Sequence, residues 1–163
     1  MINSILLPRI LKIGAGASSE IVAVLAAMSA TRPLIITDPM MVQLGYTARI
    51  TEKLDAAGLS YSMFSDTMPE PTEASFTAAI ATAKADQCDA LIAIGGGSAI
   101  DSAKAIAIVA RHGGKMADYK VPHQVTEIGL PVIAIPTTAG TGSEATAVTV
   151  ITDHQTDEKM LCL

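Results

Sequence analysis

Three short aliphatic runs break directly into loops of glycine, hydroxyl or carboxylate residues. Leu34–Thr37 runs into Asp38-Pro39, Ala90–Ile94 into Gly95-Gly96-Gly97-Ser98, and Val132–Ile135 into PTTAGTGS at 136–143. Aliphatic runs of this length without polar alternation predict strands buried on both faces. Helical patterns separate them. Ile21, Val24, Leu25 and Met28 follow the i, i+3, i+4, i+7 rule, with Ser18 or Ser19 as the cap. A helix through Ala48–Ala57 stops at Gly58, the position of a left-handed C′ residue. Phe76, Ala79, Ile80 and Ala83 share one face of a helix from about Thr72 to Asp86, and Ala99–Ala110 is apolar nearly all round. Shorter strands are expected at Ile10–Ile13 and Ser60–Phe64. A hairpin is expected from Thr146–Thr152 and Met160–Leu163.

Strands alternating with helices predict an α/β fold, a Rossmann-like, mainly parallel sheet with flanking helices. In such sheets ligands sit beyond the carboxyl ends of the strands. The three polar loops lie there, so they converge on one cleft.

Composition narrows what the cleft can hold. The 163 residues are 50% hydrophobic but only 3% aromatic, which disfavours base-stacking nucleic-acid modules. A net charge of −5 leaves no electrostatic footprint for nucleic acid or an anionic membrane. Mean hydropathy is +0.42, yet no apolar run approaches the ~18–20 residues of a membrane span. The N-terminus lacks the layout of a secretory signal. Cys88 and Cys162 form neither a metal spacing nor a disulfide framework, which predicts reduced thiols and a cytoplasmic protein.

Gly95, Gly96 and Gly97 join a buried strand to a buried helix. Backbone without Cβ lets an anion approach, and the helix start offers free N–H groups with partial positive charge. A tight turn needs one glycine, not three, so a pyrophosphate cradle is the better reading. Ser98 is placed as N-cap, with Asp101 three residues on in a near capping box. Asp38 ends its strand where a carboxylate can accept from both ribose hydroxyls and repel a 2′-phosphate. An Asp-Pro turn explains it equally well on spacing alone. Thr137, Thr138, Thr141 and Ser143 put hydroxyls on one glycine-bearing loop suited to a polar ligand.

Other motifs fall short. Gly14-x-Gly16-x-x-Ser19 lacks the third Gly/Ala of a dinucleotide fingerprint, and Lys104 is not preceded by a Walker A pattern. His112, His123 and His154 hold no ligand spacing and read as exposed loop histidines, and no G-x-S-x-G exists. The residues supply a binding cleft without an evident catalytic acid, base or nucleophile.

GGGSAIDSAKAIA at 95–107 and PTTAGTGSEAT at 136–146, with PLIITDP at 33–39, MPEP at 68–71 and VITD…K at 150–159, carry a resemblance. The chain resembles the N-terminal, nucleotide-binding half of the iron-containing (group III) alcohol dehydrogenases. Glycerol dehydrogenases, maleylacetate reductases and dehydroquinate synthases are similar at greater distance. The resemblance implies a dehydroquinate synthase-like N-terminal domain over 1–163 and hydride transfer between an alcohol or aldehyde and NAD. It implies that Asp38 selects NAD over NADP. Gly95, Gly96, Gly97 and Ser98 then form the pyrophosphate loop, with Asp101 facing the cofactor from the helix start. Thr137, Thr138 and Thr141 lie around adenine and phosphates, and Lys159 near the ribose and pyrophosphate on the nicotinamide side. At Val148 some relatives carry a polar, cofactor-contacting residue, where this chain has an apolar one.

In that family an Asp and three His on a helical C-terminal domain hold Fe²⁺ or Zn²⁺, and the metal polarises the alcohol. Those ligands and that domain have no counterpart here. The expected reading is therefore a fragment of a two-domain enzyme, inactive alone. Alternatives are a non-catalytic nucleotide-binding module or a subunit completed by another chain, and a dehydroquinate synthase-type lyase fits less well. A homodimer through Ile2–Ile13 is a further expectation from the resemblance.

Overall fold

A computed structural model describes residues 7–123, 128–153, 156 and 158–162. His154, Leu163 and the first part of Ile2–Ile13 lie outside the described residues. Four parallel strands form one sheet: β1 (Pro33–Ile36), β2 (Ser62–Phe64), β3 (Ala90–Gly95) and β4 (Val132–Pro136), in the order β2-β1-β3-β4. Register places Ile36 beside Phe64 and Ala93, and Gly95 beside Pro136. The Rossmann-like, mainly parallel architecture is as the aliphatic runs require.

Strand pleating divides the apolar side chains between two layers. Leu34, Ile36, Leu91 and Ala93 pack with Phe76, Ala79, Ile100, Ala103 and Ile106 on one face. Ile35, Ile92 and Ile94 pack with Ile21, Leu25, Ile50 and Leu54 on the other. The first face is covered by α4 (Thr77–Ala85) and α5 (Gly97–His112), the second by α1 (Ile21–Ala27) and α3 (Tyr46–Ala56). A short α2 (Pro39–Gln43) follows β1. Every residue of β1 and β3 is buried, but β4 is only half-buried because it is the sheet edge. The fully buried strand expected there is corrected in that respect.

The hairpin forms a separate antiparallel sheet of β5 (Thr149–Thr152) and β6 (Lys159–Cys162). Its alternate residues Ile151, Met160 and Cys162 enter the core while Val150 and Leu161 stay exposed. Both cysteines are free and buried, and burial pushes both thiol pKa values up.

Gly58 behaves as a helix terminator should. It sits at φ +67, its N–H donates to Asp55 O, and Leu59 N donates to Leu54 O, the paired bonds of a Schellman motif. Other expectations are corrected. Ile10–Ile13 forms no strand: Leu11 and Ile13 are exposed, and no described strand pairs with the run. Without a ladder partner its backbone must be solvated rather than extended into a sheet. Ser18 and Ser19 do not cap α1 but lie within a 3₁₀ turn, Ala17–Glu20, opened by Gly16 at φ 79. The 60–64 strand keeps only three residues. His112 ends α5, half-buried, with Nε2 3.2 Å from Ile128 O, whereas His123 is exposed. No helix of the described residues is long and apolar enough to cross a membrane.

Candidate nucleotide site

After β1 the chain turns to β2 on one side, and β3 then returns to the other side of β1. The switch point therefore lies between the carboxyl ends of β1 and β3, where open α/β sheets bind ligands. Asp38 leaves β1 at that point and Gly95 ends β3.

Asp38 serves first as a cap. Its Oδ1 accepts from Met41 N at 3.0 Å, holding α2 with Pro39 at its first position. Its second oxygen points toward the glycines: a Cβ on Gly95 would stand 3.4 Å from Asp38 Oδ2 and 2.8 Å from Ala99 Cβ. The cap reading of Asp38 is thus met by one oxygen, while the other is turned toward Gly95. Beneath it Thr37 is fully buried and donates from Oγ1 to Ile94 O at 2.9 Å, locking β1 to β3 at the site's floor.

The other glycines meet the threonine loop. A Cβ on Gly96 would lie 3.0 Å from Thr138 Oγ1, and one on Gly97 3.3 Å from Thr141 Cβ and 3.2 Å from Ser143 Oγ. Thr137 N donates to Gly95 O at 2.9 Å, extending the β3–β4 ladder into the loop. Residues about forty positions apart are thereby brought into close contact, and the absence of a Cβ at Gly96 and Gly97 spares the threonine loop a shift of a few tenths of an ångström. The structure brings Asp38, Gly95, Gly96, Gly97, Thr138 and Thr141 together at the carboxyl end of the sheet, with Thr137 bonded to Gly95 and Ser143 added.

The predicted cap at Ser98 is not made. Gly96 occupies the N-cap position, no side-chain cap closes α5, and Ser98 stands in the first turn. A sixteen-residue helix therefore presents its positive end uncapped behind three glycines. The near capping box is corrected too, because Asp101 turns to the hairpin. Its Oδ2 accepts from Val150 N at 3.1 Å and its carbonyl from Thr149 Oγ1 at 2.8 Å. Lys159 opens β6 with its ammonium 3.3 Å from Glu70 Oε1. Asp101 is thus tied to the hairpin, and Lys159 lies on the hairpin paired with Glu70.

Lys104 was legible only as a failed Walker lysine, yet it reaches the loop just before the hairpin, donating to Val148 O at 2.7 Å. Burial pulls its ammonium pKa down, opposed by Asp101. Its i, i+3 spacing from Asp101 was the available signal. Gly14 and Gly16 face open space and follow no strand, so the second glycine pattern builds nothing at the sheet. An apolar groove of about 1000 Å³ runs between the β4 edge and residues 7–14, apart from Asp38 and the glycines. Among the described residues no group of three or more His, Cys, Asp or Glu could hold a metal ion.

A doubly wound sheet whose switch point carries a glycine-lined, uncapped helix start is the architecture of a Rossmann-like nucleotide-binding domain. The family model for iron-containing alcohol dehydrogenases matches residues 8–163, and the chain belongs to that family. It is 40% identical over 148 residues to the NAD-dependent methanol dehydrogenase of Bacillus methanolicus, covering 91% of this chain and 39% of that one. The structure of 1,3-propanediol oxidoreductase is similar at a TM-score of 0.93 and 28% identity, over 99% of this chain and 42% of that one. Sulfoacetaldehyde reductase from Bifidobacterium kashiwanohense, solved with NAD⁺, is similar at 0.89 and 31% identity, over 100% and 43%. The chain spans about two fifths of the length of these relatives and corresponds to their N-terminal nucleotide-binding half.

Proposed function

We propose that residues 1–163 are one dinucleotide-binding domain that holds NAD for a metal-dependent alcohol dehydrogenase. One observation carries this reading: α5 starts without a side-chain cap behind three glycines whose missing Cβ atoms face Asp38, Thr138 and Thr141. A pyrophosphate at that helix start would meet backbone N–H groups and the positive end of the helix dipole. Gly95, Gly96, Gly97 and Ser98 form this cradle. The free oxygen of Asp38 accepts from the adenosine ribose and disfavours a 2′-phosphate. Thr137, Thr138 and Thr141 wall the adenine and phosphate side, and Lys159 serves the nicotinamide side. Asp101, whose oxygens are turned to the hairpin and to Lys104, acts from behind the site without touching the dinucleotide.

Bound NAD supplies the hydride acceptor, and the substrate is a small alcohol or its aldehyde. This chain's own residues bind and orient the dinucleotide and place no proton-transferring side chain on the reaction. The described residues do not fit a metal centre, so no step is assigned to one here. The protein is proposed to be cytoplasmic and to pair as a homodimer.

The test is titration of the chain with NADH and NADPH, followed by fluorescence. NADH should bind the more tightly; no binding of either at millimolar concentration overturns the assignment. With Fe²⁺ or Zn²⁺ added, the chain alone should oxidise no alcohol, and robust turnover would reveal a metal site within it.

A further inference from the structure

The threonine loop, residues 137–148, contains no helix or strand between β4 and β5. It carries Thr138, Thr141 and Ser143, the side chains that meet the glycines, so its position sets how closely the two loops approach. One end is fixed by the sheet, where Thr137 N reaches Gly95 O. The other end is held by two side chains of α5. Lys104 Nζ donates to Val148 O at 2.7 Å and to Thr146 Oγ1 at 3.4 Å, and Asp101 Oδ2 accepts from Val150 N.

Both charged side chains are mostly buried, at 15% and 13% exposure, and they face each other at 3.8 Å. That distance lies about 1 Å beyond a charge-assisted N–H···O bond. Asp101 Oδ1 is inaccessible to solvent and has no hydrogen-bond partner. Such an oxygen costs desolvation without a compensating bond, unlike a pair placed for maximal stability. What the arrangement secures is the far end of an irregular loop whose near end is already fixed. Anchoring both ends removes chain entropy that a ligand would otherwise have to overcome.

We propose that Lys104 is a positioning residue: by tying Thr146 and Val148 to α5 beside Asp101, it pre-sets the threonine loop at the distance from the glycine loop that a dinucleotide requires. This rests on the dinucleotide reading of the crevice. Lys104 touches no part of the ligand and acts through the loop.

Lys104→Met, Lys104→Gln and Lys104→Arg are compared in the 163-residue chain by NADH titration and by amide hydrogen exchange over residues 137–150. Lys104→Met should raise the NADH dissociation constant about tenfold, the loss of a charge-assisted contact, and speed exchange of the Val148–Val150 amides. Lys104→Arg, which keeps the charge and the donors, should return the constant to within about threefold of the parent. If Lys104→Met does not fold, Lys104→Gln carries the comparison with the same expected direction. Unchanged NADH affinity in the neutral variants, or loss of affinity that Lys104→Arg does not restore, overturns the proposal. If the parent chain itself binds no NADH, the nucleotide reading fails separately. Exchange then decides the loop anchor: accelerated exchange supports it and unchanged exchange overturns it.

Discussion

The free carboxylate oxygen of Asp38 stands 3.4 Å from the point where a Cβ on Gly95 would lie. The residue that caps α2 just after β1 and the residue that ends β3 are thus in near contact across the switch point. That approach is ordinary van der Waals contact; the tighter neighbour of Gly95 is Ala99 Cβ, at 2.8 Å.

Gly95→Ala tests that fit. Gly95 has φ +151, and an added Cβ would stand 2.8 Å from Ala99 Cβ, which α5 holds rigidly. Backbone strain and overpacking together should cost about 1–3 kcal/mol in urea unfolding. At Gly97 the nearest atoms belong to the Thr141 and Ser143 side chains at 3.2–3.3 Å, on a loop able to yield a few tenths of an ångström. Gly97→Ala should therefore destabilise less while still weakening NADH binding. Equal stability losses at the two sites would refute this account of the glycines.

Asp38→Asn separates the two duties of Asp38. The amide oxygen can still accept from Met41 N, so α2 keeps its cap and stability should move by less than about 0.5 kcal/mol. The negative charge is lost, so the preference for NADH over NADPH should fall about tenfold, some 1.4 kcal/mol. An unchanged preference in paired titrations would remove Asp38 from cofactor selection.

The sheet was legible because its strands are continuous aliphatic runs, and Gly58 because a left-handed helix end needs glycine. Ile10–Ile13 has the same local composition as a strand, but strand formation requires a neighbour, and sequence does not state which edge is open. Ser98 satisfied every local rule for an N-cap. It was displaced because the chain begins α5 two residues earlier, where three glycines allow the turn to close against Thr138 and Thr141. Asp101 was read with its own helix, whereas its contacts are with Thr149 and Val150, almost fifty residues away. Local pattern defined the elements and the glycine loop; the long-range polar contacts behind the site emerged only with the fold.

A last prediction concerns the opposite end of the sheet. Asp89 precedes β3 and fastens the entry to β1: Oδ2 accepts from Thr31 N at 2.8 Å and Thr31 Oγ1 at 3.0 Å, and Oδ1 from Arg32 N at 2.8 Å. Partial burial raises its pKa, but these hydrogen bonds, with the Arg32 charge, outweigh it and hold the carboxyl below its ordinary value. A carboxylate depressed in the folded state contributes stability above its unfolded pKa, and loses it as pH falls through the folded value. The contribution should be complete above roughly pH 5 and fade below about pH 4. Asp89→Asn cannot accept on both sides and should cost about 1 kcal/mol near neutrality. Urea unfolding of both proteins from about pH 7 down to about pH 2 checks the sign, because their difference must shrink only on the acid side. A difference constant across that range would show that Asp89 acts through packing rather than through its charge.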